Sequence, residues 1–206
     1  MSHKLRTPLN AIIGLTEMMV TNAARFGTEK ALEPLRRVNA AGTHLLSLIN
    51  EILDLSKIEA GKLELNPEQV NVPPLIEEVV GTARQLAEQN KNRLVVDVRE
   101  NIGALTADPM RLRQILLNLL SNACKFTEKG SVRLSVSADE ALVLTIADTG
   151  PGIPPEARAK VFERFHSLRP AEEAFGSHSG LGLAIGRTIV EAHDGSLTAT
   201  DRRDGQ

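Results

Sequence analysis

The 206-residue sequence contains no tryptophan and no tyrosine, only five phenylalanines and a single cysteine. So few aromatic side chains leave no stacking platform for single-stranded nucleic acid. A formal net charge of -2 supplies no basic field for a phosphate backbone, so no nucleic-acid partner is expected. One cysteine, Cys124, excludes an intrachain disulfide and fits a reducing, cytoplasmic setting. No apolar run approaches about 18 residues, so no membrane contact is expected in this fragment. The opening Met1-Ser2-His3-Lys4 lacks the layout of a secretory signal and leads straight into a helical pattern. That start is the expectation for a piece cut from a longer protein, whose parent could be membrane-anchored.

Two kinds of pattern divide the chain, which is long enough for one to two domains. Up to Gly61 the apolar residues recur at helical spacing. Leu5, Leu9, Ile12, Thr16 and Met19 step by four, three, four and three, which is a heptad seam. Phe26-Gly27 breaks it, and a second seam follows at Leu35, Val38, Gly42, Leu45, Ile49 and Ile52. Leu46 and Leu53 widen that seam into a stripe suited to a bundle. Gly61 stands where a helix C-cap belongs. Two such helices cannot cover both stripes, so the expected architecture is a helical hairpin that pairs with a second copy as a dimeric four-helix bundle.

The remainder reads as mixed α/β. Strands are expected at Leu63–Leu65, Arg93–Val98, Val132–Val136, Leu142–Ile146 and Leu197–Thr200, with the third and fourth of these antiparallel. Helices are expected over Leu75–Gln89, after the Asp108-Pro109 cap, and from Leu181 to His193. The predicted division is 1–61 for the hairpin and 62–206 for the second domain, with Gly61-Lys62 as the hinge.

Three segments in the second domain carry chemistry. Asn118, Asn122 and Lys125, at spacings of four and three, share one helix face beside the apolar one. Two amide oxygens can ligate a hard cation and an ammonium can meet phosphate, although a solvated polar face has the same look. Asp148-Thr149-Gly150-Pro151-Gly152-Ile153 leaves a strand end with an acceptor and two flexible glycines, either as a ligand turn or as an ordinary one. Gly180-Leu181-Gly182-Leu183 precedes a helix, where backbone N–H groups can face phosphate or simply cap it.

In this order the segments resemble the conserved boxes of two-component sensor histidine kinases. Asn118 to Thr127 is similar to the N box, Asp148 to Ile153 to the G1 box, Phe162 to Phe165 to the F box and Gly180 to Leu183 to the G2 box. Ser2 to Asn10 resembles the phosphoacceptor H box, so the likeness covers essentially the whole chain. The resemblance implies an α+β protein, in which the hairpin is followed by an α/β sandwich of the histidine-kinase/gyrase/Hsp90-like ATP-binding type. It implies ATP and Mg²⁺ as cofactors, with Asn122 on the metal and Asn118 assisting. Lys125 would meet phosphate and Asp148 would read adenine. Phe126, Gly150, Gly152, Ile153, Gly180, Leu181, Gly182 and Leu183 would line the nucleotide site. Residues 154–179 would form a lid, its start anchored by Phe162 and Phe165. The implied reaction moves the γ-phosphoryl of ATP to His3, then to an aspartate on a response regulator receiver domain.

Some positions depart from the family pattern. Lys4 follows His3 where the family places Glu or Asp, and lysine has no acceptor capacity. That departure keeps open an alternative: a nucleotide-binding scaffold, or a phosphatase-biased relative with weak autokinase activity. Thr7 matches the position that the family uses in dephosphorylating the regulator. In a heptad with Leu5 and Leu9 at d and a, His3 falls at b and points away from the seam. Pro8 removes the bond to the Lys4 carbonyl, and a local kink is expected there. His178 replaces a frequent glycine, and Ser167 a frequent arginine for which Arg169 could substitute. One further strand is expected after Thr200, so the last strand is read as missing and a sheet edge as exposed.

Overall fold

The computed structural model describes residues 2–99, 102–138, 141–166 and 180–200, with side chains from Arg6 onward. The chain divides between Leu63 and Glu64 into two compact units, with Gly180 and Leu181 grouped with the first. Each unit is described by itself.

The first unit is a helical hairpin. Helix α1 spans Ser2–Thr21, a single turn α2 spans Ala23–Phe26, and α3 spans Leu32–Glu59. Pro8 lies inside α1, and the helix continues on both sides of it. Gly27 adopts the left-handed conformation and ends α2. The Thr28 hydroxyl donates to the Met19 carbonyl at 2.7 Å and ties the turn back to α1. Pro34 is accommodated in the first turn of α3, where its missing N–H has no intrahelical partner to lose. At the far end Gly61 has φ 64°. Its N–H donates to Ile58 and that of Lys62 to Lys57, a Schellman closure.

The residues predicted for the two helix seams divide between a buried stripe and an exposed one. Leu9, Thr16 and Gly42 are buried between the helices. A Cβ on Gly42 would lie 3.1 Å from Ile13, so glycine sets the close approach. Asn39 donates to the Ile13 carbonyl at 2.9 Å and to the Thr16 hydroxyl at 3.0 Å. Arg6 donates to Asn50 at 2.9 Å. Ile12, predicted for this seam, instead lies outside it. With Leu15, Met18, Val38, Leu45 and Ile52 it is 42–56% exposed. One helix partner covers only one flank of an apolar face this wide.

The second unit packs two helices on a three-stranded sheet. Helix α4 spans Val72–Gln89 and α5 Pro109–Phe126; strands β2 (Arg93–Val98), β4 (Ser131–Ala138) and β5 (Leu142–Asp148) form the sheet in the order β2-β4-β5. The first pair is parallel and the second antiparallel. Ile76, Leu116, Leu120, Val132, Leu134 and Val136 are at most 2% exposed and make the heart of the core. Each contributes about 1.5–3 kcal/mol by burial. The partly exposed Arg113–Glu78 pair between α5 and α4, at 2.7 Å, contributes about 0–1 kcal/mol.

Two strand expectations need correction. Residues 63–65 are irregular, and the strand β1 lies at Glu68–Asn71 instead. It pairs antiparallel with β3, Ala104–Ala107, a strand that the alternation did not reveal. Leu63-Glu64-Leu65 alternates but has no partner, whereas Val70 is buried and Glu68 to Asn71 reach the β3 backbone. Residues 195–200 are also irregular, so Leu197–Thr200 is not a strand among the described residues. The helix predicted from Leu75 begins three residues earlier, with prolines in its first turn. Helix α6 covers Gly182–Ala192, and two 3-10 turns at Pro155–Ala157 and Lys160–Phe162 precede it in the chain.

Asp108 fastens the start of α5. Its Oδ1 accepts from the Arg111 N–H at 3.0 Å and its Oδ2 from the Asn66 N–H at 3.1 Å. Its own N–H donates to His193 Nε2 at 3.0 Å, while His193 Nδ1 faces the Ile189 carbonyl at 2.8 Å. Burial pushes the Asp108 pKa up, but backbone donors from Asn66, Arg111 and Met110 and the Arg111 charge outweigh it and leave it lowered. A carboxyl depressed in the folded state adds stability above its unfolded pKa, about 3.9, and loses it as pH falls through the folded value. Asp108→Ala is expected to cost about 1–2 kcal/mol at pH 7, measured by urea unfolding. Asp108→Asn, which keeps a capping oxygen, is expected to flatten the stability loss seen below about pH 4.

Candidate functional site

The candidate site is built at the C-terminal end of α5, where the helix meets the end of β5. Helix α5 presents its apolar side to the core through Ile115, Leu116, Leu120, Ala123 and Cys124. Asn118 and Asn122, on the adjoining face, are half-buried, and Lys125 is exposed in the last turn. Gly182 opens α6 directly against Asn118. A Cβ there would lie 2.6 Å from Asn118 Oδ1 and 2.7 Å from its Nδ2, so any side chain at this position would push the Asn118 amide aside.

Asp148 ends β5 and is half-buried. Its Oδ1 accepts from the Gly150 N–H at 2.8 Å and from the Thr127 hydroxyl at 3.3 Å. Thr127 is 1% exposed, so this contact sits out of water. A Cβ on Gly150 would lie 2.7 Å from Asp148 Oδ1 and 2.9 Å from the Phe126 carbonyl. The turn is therefore closed tightly onto the end of α5. Thr149 extends the lock, its hydroxyl accepting from Ser131 N–H at 2.9 Å. Gly152 has open space where a Cβ would stand but needs its φ of 73°. Ile153 is half-buried, and its carbonyl accepts from Arg158 Nε at 3.3 Å.

The structure thus groups Asn118 with Gly182, and Phe126 with Asp148 and Gly150. The two phenylalanines of the F-box segment part company. Phe162 is half-buried, and the Arg187 guanidinium of α6 lies 5.3 Å from its ring centroid. Phe165 is 69% exposed, with φ 60°, and does not anchor the segment. Leu183 is half-buried; Gly180 has φ 67° and Leu181 is 1% exposed. Thr7 lies exposed on α1. The side chains of His3 and Lys4, and Ser167, Arg169 and His178 with the second half of the predicted lid, lie outside the described residues.

Cys124 is fully buried, and its Sγ faces the Ala83 carbonyl at 4.0 Å. Burial first, and the negative charge of Asp148 second, push its thiol pKa up. It packs the α5–α4 contact and holds no reactive thiolate.

Asn92 was not among the predicted site residues. It is 8% exposed, and it bonds both the C-terminus of α5 and the turn that follows. Nothing in the local sequence marks it: a polar residue before an apolar strand is ordinary, and its partners lie 32 or more positions away.

The donor set fits a hard divalent cation. Two amide oxygens one helical turn apart are suitable ligands, leaving other positions to water and phosphate oxygens. Among the described residues no cluster of three His, Cys, Asp or Glu offers a competing site.

Comparison with known proteins agrees with this geometry. Residues 1–61 match the His Kinase A (phospho-acceptor) domain. Residues 107–206 match the histidine kinase-, DNA gyrase B- and HSP90-like ATPase family. The circadian input-output histidine kinase CikA of Synechococcus elongatus is 40% identical over 201 residues, covering 96% of this chain and 27% of that protein. The cell-division control histidine kinase PdhS of Brucella suis is 36% identical over 219 residues, 100% of this chain and 21% of that protein. Full-length ShkA in complex with AMPPNP is 32% identical with a TM-score of 0.73, covering 97% of this chain and 42% of that one. The mycobacterial sensor histidine kinase MprB is 31% identical with a TM-score of 0.55, covering 65% of this chain and 84% of that one. The chain belongs to the two-component sensor histidine kinases: it has a phosphoacceptor helical hairpin followed by an α/β ATPase-type domain. It spans about a quarter of the length of the curated relatives it matches.

Proposed function

We propose that this chain is the catalytic core of a protein histidine kinase, divided as hairpin 1–61 and ATP-binding domain 62–206. The observation that carries the reading is the closure of Gly150 and Thr127 onto Asp148, beside an α5 face that holds Asn118 and Asn122. Asp148, with Oδ1 held by the protein, offers its other oxygen to the exocyclic amine of adenine. Lys125 meets the phosphates, and the glycines at 180 and 182 admit them to the start of α6. Asn122, helped by Asn118, would hold Mg²⁺, which when bound neutralises charge on the phosphate chain. Phosphoryl transfer is mostly positioning and electrostatics, so these groups suffice without a covalent intermediate on the ATP domain. An imidazole nitrogen of His3 forms the new bond to γ-phosphorus as the bond to ADP breaks, and the imidazole loses its proton. An aspartate of a receiver domain then takes the phosphoryl group from His3.

The exposed stripe Ile12, Leu15, Met18, Val38, Leu45 and Ile52 supports a homodimer through the hairpin. No helix among the described residues is long and apolar enough to cross a membrane. A cytoplasmic location fits the single buried thiol. Lys4 favours one second reading, a nucleotide-binding scaffold or phosphatase-biased relative in which Thr7 serves regulator dephosphorylation.

Incubation of the chain with γ-labelled ATP and Mg²⁺ separates the two. Acid-labile, alkali-stable label on the protein is the expected result. Nucleotide binding with no label at any time would favour the scaffold.

A further inference from the structure

The end of α5 leaves carbonyls without intrahelical partners, as every helix does. Here a buried amide takes one of them, together with the carbonyl of the residue that follows the helix. Asn92 Nδ2 donates to the Cys124 carbonyl at 2.7 Å and to the Thr127 carbonyl at 2.7 Å. Its Oδ1 accepts from the Gly130 N–H at 3.0 Å. Two carbonyls face the NH₂ end and one N–H faces the oxygen, so the network itself fixes the orientation of the amide. The two loops joined this way each contain a non-glycine residue in the left-handed region, Lys91 at φ 57° and Lys129 at φ 51°. Such residues cost energy and persist where surrounding contacts over-determine them. Those contacts are present: Arg93 N–H donates to Gly130 O at 2.8 Å and Lys129 N–H to Asn90 O at 3.2 Å.

The held segment is the one that shapes Asp148. Asn92 fixes the Thr127 backbone, and the Thr127 hydroxyl donates to Asp148 Oδ1 at 3.3 Å. The same segment supplies the Phe126 carbonyl and Thr127 hydroxyl against which Gly150 closes, 2.9 and 3.2 Å from its ideal Cβ. Asn92 itself is buried too deeply to be a ligand contact.

We propose that Asn92 is a positioning residue for base recognition, setting the preference of Asp148 for adenine through Thr127; the proposal rests on the adenine-reading role of Asp148. A merely structural asparagine would affect stability alone. A positioning asparagine alters the ratio of affinities for two bases.

The test is calorimetric binding of ADP and GDP, with Mg²⁺, to the 206-residue chain, its Asn92→Ala, Asn92→Asp and Asp148→Asn variants and the Asn92→Ala/Asp148→Asn double variant. Wild type is expected to prefer ADP. Asn92→Ala is expected to cut that preference about tenfold, the size of one lost hydrogen bond, with GDP affinity unchanged. Asn92→Asp keeps the acceptor for Gly130 but turns an oxygen toward two carbonyls, so it is expected to lose at least as much. In the double variant the Asn92 effect on the ratio should vanish, because Asp148 no longer transmits it. A wild type that binds ADP and GDP equally would remove the base-reading role of Asp148, and this proposal with it. A wild type that discriminates, with an unchanged ratio in folded Asn92→Ala, would overturn the proposal alone. If both Asn92 variants fail to fold, amide exchange in wild type decides. ADP should slow exchange at the Gly130 N–H, and no change there would overturn the proposal.

Discussion

Lys4→Glu is expected to raise the initial rate of His3 phosphorylation by at least about tenfold, and His3→Ala to abolish acid-labile label. A nucleophilic imidazole must lose a proton as phosphorus arrives. An adjacent general base is worth about 10²–10⁴-fold in such steps. The family places a carboxylate directly after the histidine, and this chain has Lys4. An ammonium accepts no proton and no hydrogen bond at neutral pH. It does offset negative charge on the incoming phosphoryl group, which is why only part of the full general-base factor is expected on exchange. Initial rates with γ-labelled ATP measure the effect, and the affinity for ADP serves as the control that should not move. An unchanged rate in Lys4→Glu would show that the residue after His3 does not limit the chemistry.

Asp148→Asn is expected to weaken ADP binding by about 10–100-fold, the cost of losing a charge-assisted hydrogen bond of about 1.5–3 kcal/mol. Gly150→Ala should approach the same loss by a different route. The added Cβ would meet Asp148 Oδ1 at 2.7 Å and the Phe126 carbonyl at 2.9 Å. The second of these is backbone, so the turn itself must shift and carry Asp148 with it. Gly152→Ala is the matched control. No atom lies within 4 Å of its Cβ position, but its φ of 73° strains any side chain. It should cost about 1 kcal/mol of stability and leave ADP affinity nearly intact. Calorimetry and thermal unfolding on the three variants separate these outcomes. Equal losses of affinity at positions 150 and 152 would mean that flexibility, not close approach, is what the turn requires.

Much of the secondary structure could be read along the chain. The core face of α5, the cap at Asp108 and the β4–β5 hairpin all follow from local periodicity and side-chain chemistry. The misreadings share one cause. Leu63-Glu64-Leu65 and Leu197–Thr200 alternate as strands do but lack a neighbouring strand among the described residues. Ala104–Ala107 is short and unremarkable in pattern, and it becomes a strand because Glu68–Asn71 supplies its hydrogen bonds. Strand formation depends on a distant partner, and helix formation depends far less on one.

The candidate site divides along the same line. The amides of Asn118 and Asn122, the carboxylate of Asp148 and the glycines at 150, 152, 180 and 182 are chemical identities, placed on one face or one turn by spacing alone. The scarcity of aromatics, the single cysteine and the lack of a net basic charge had already narrowed the function class. Tertiary structure decided which flank of the hairpin remains open. It also decided that Gly182 lies directly against the Asn118 amide, and that Phe165 faces solvent while Phe162 lies beneath Arg187. It alone brought Asn92 to the end of α5. Sequence spacing fixes which residues share a local face, because backbone periodicity is short-ranged. Which faces meet is fixed by long-range packing and by buried polar groups that must find partners, and both exist only once the chain has closed on itself.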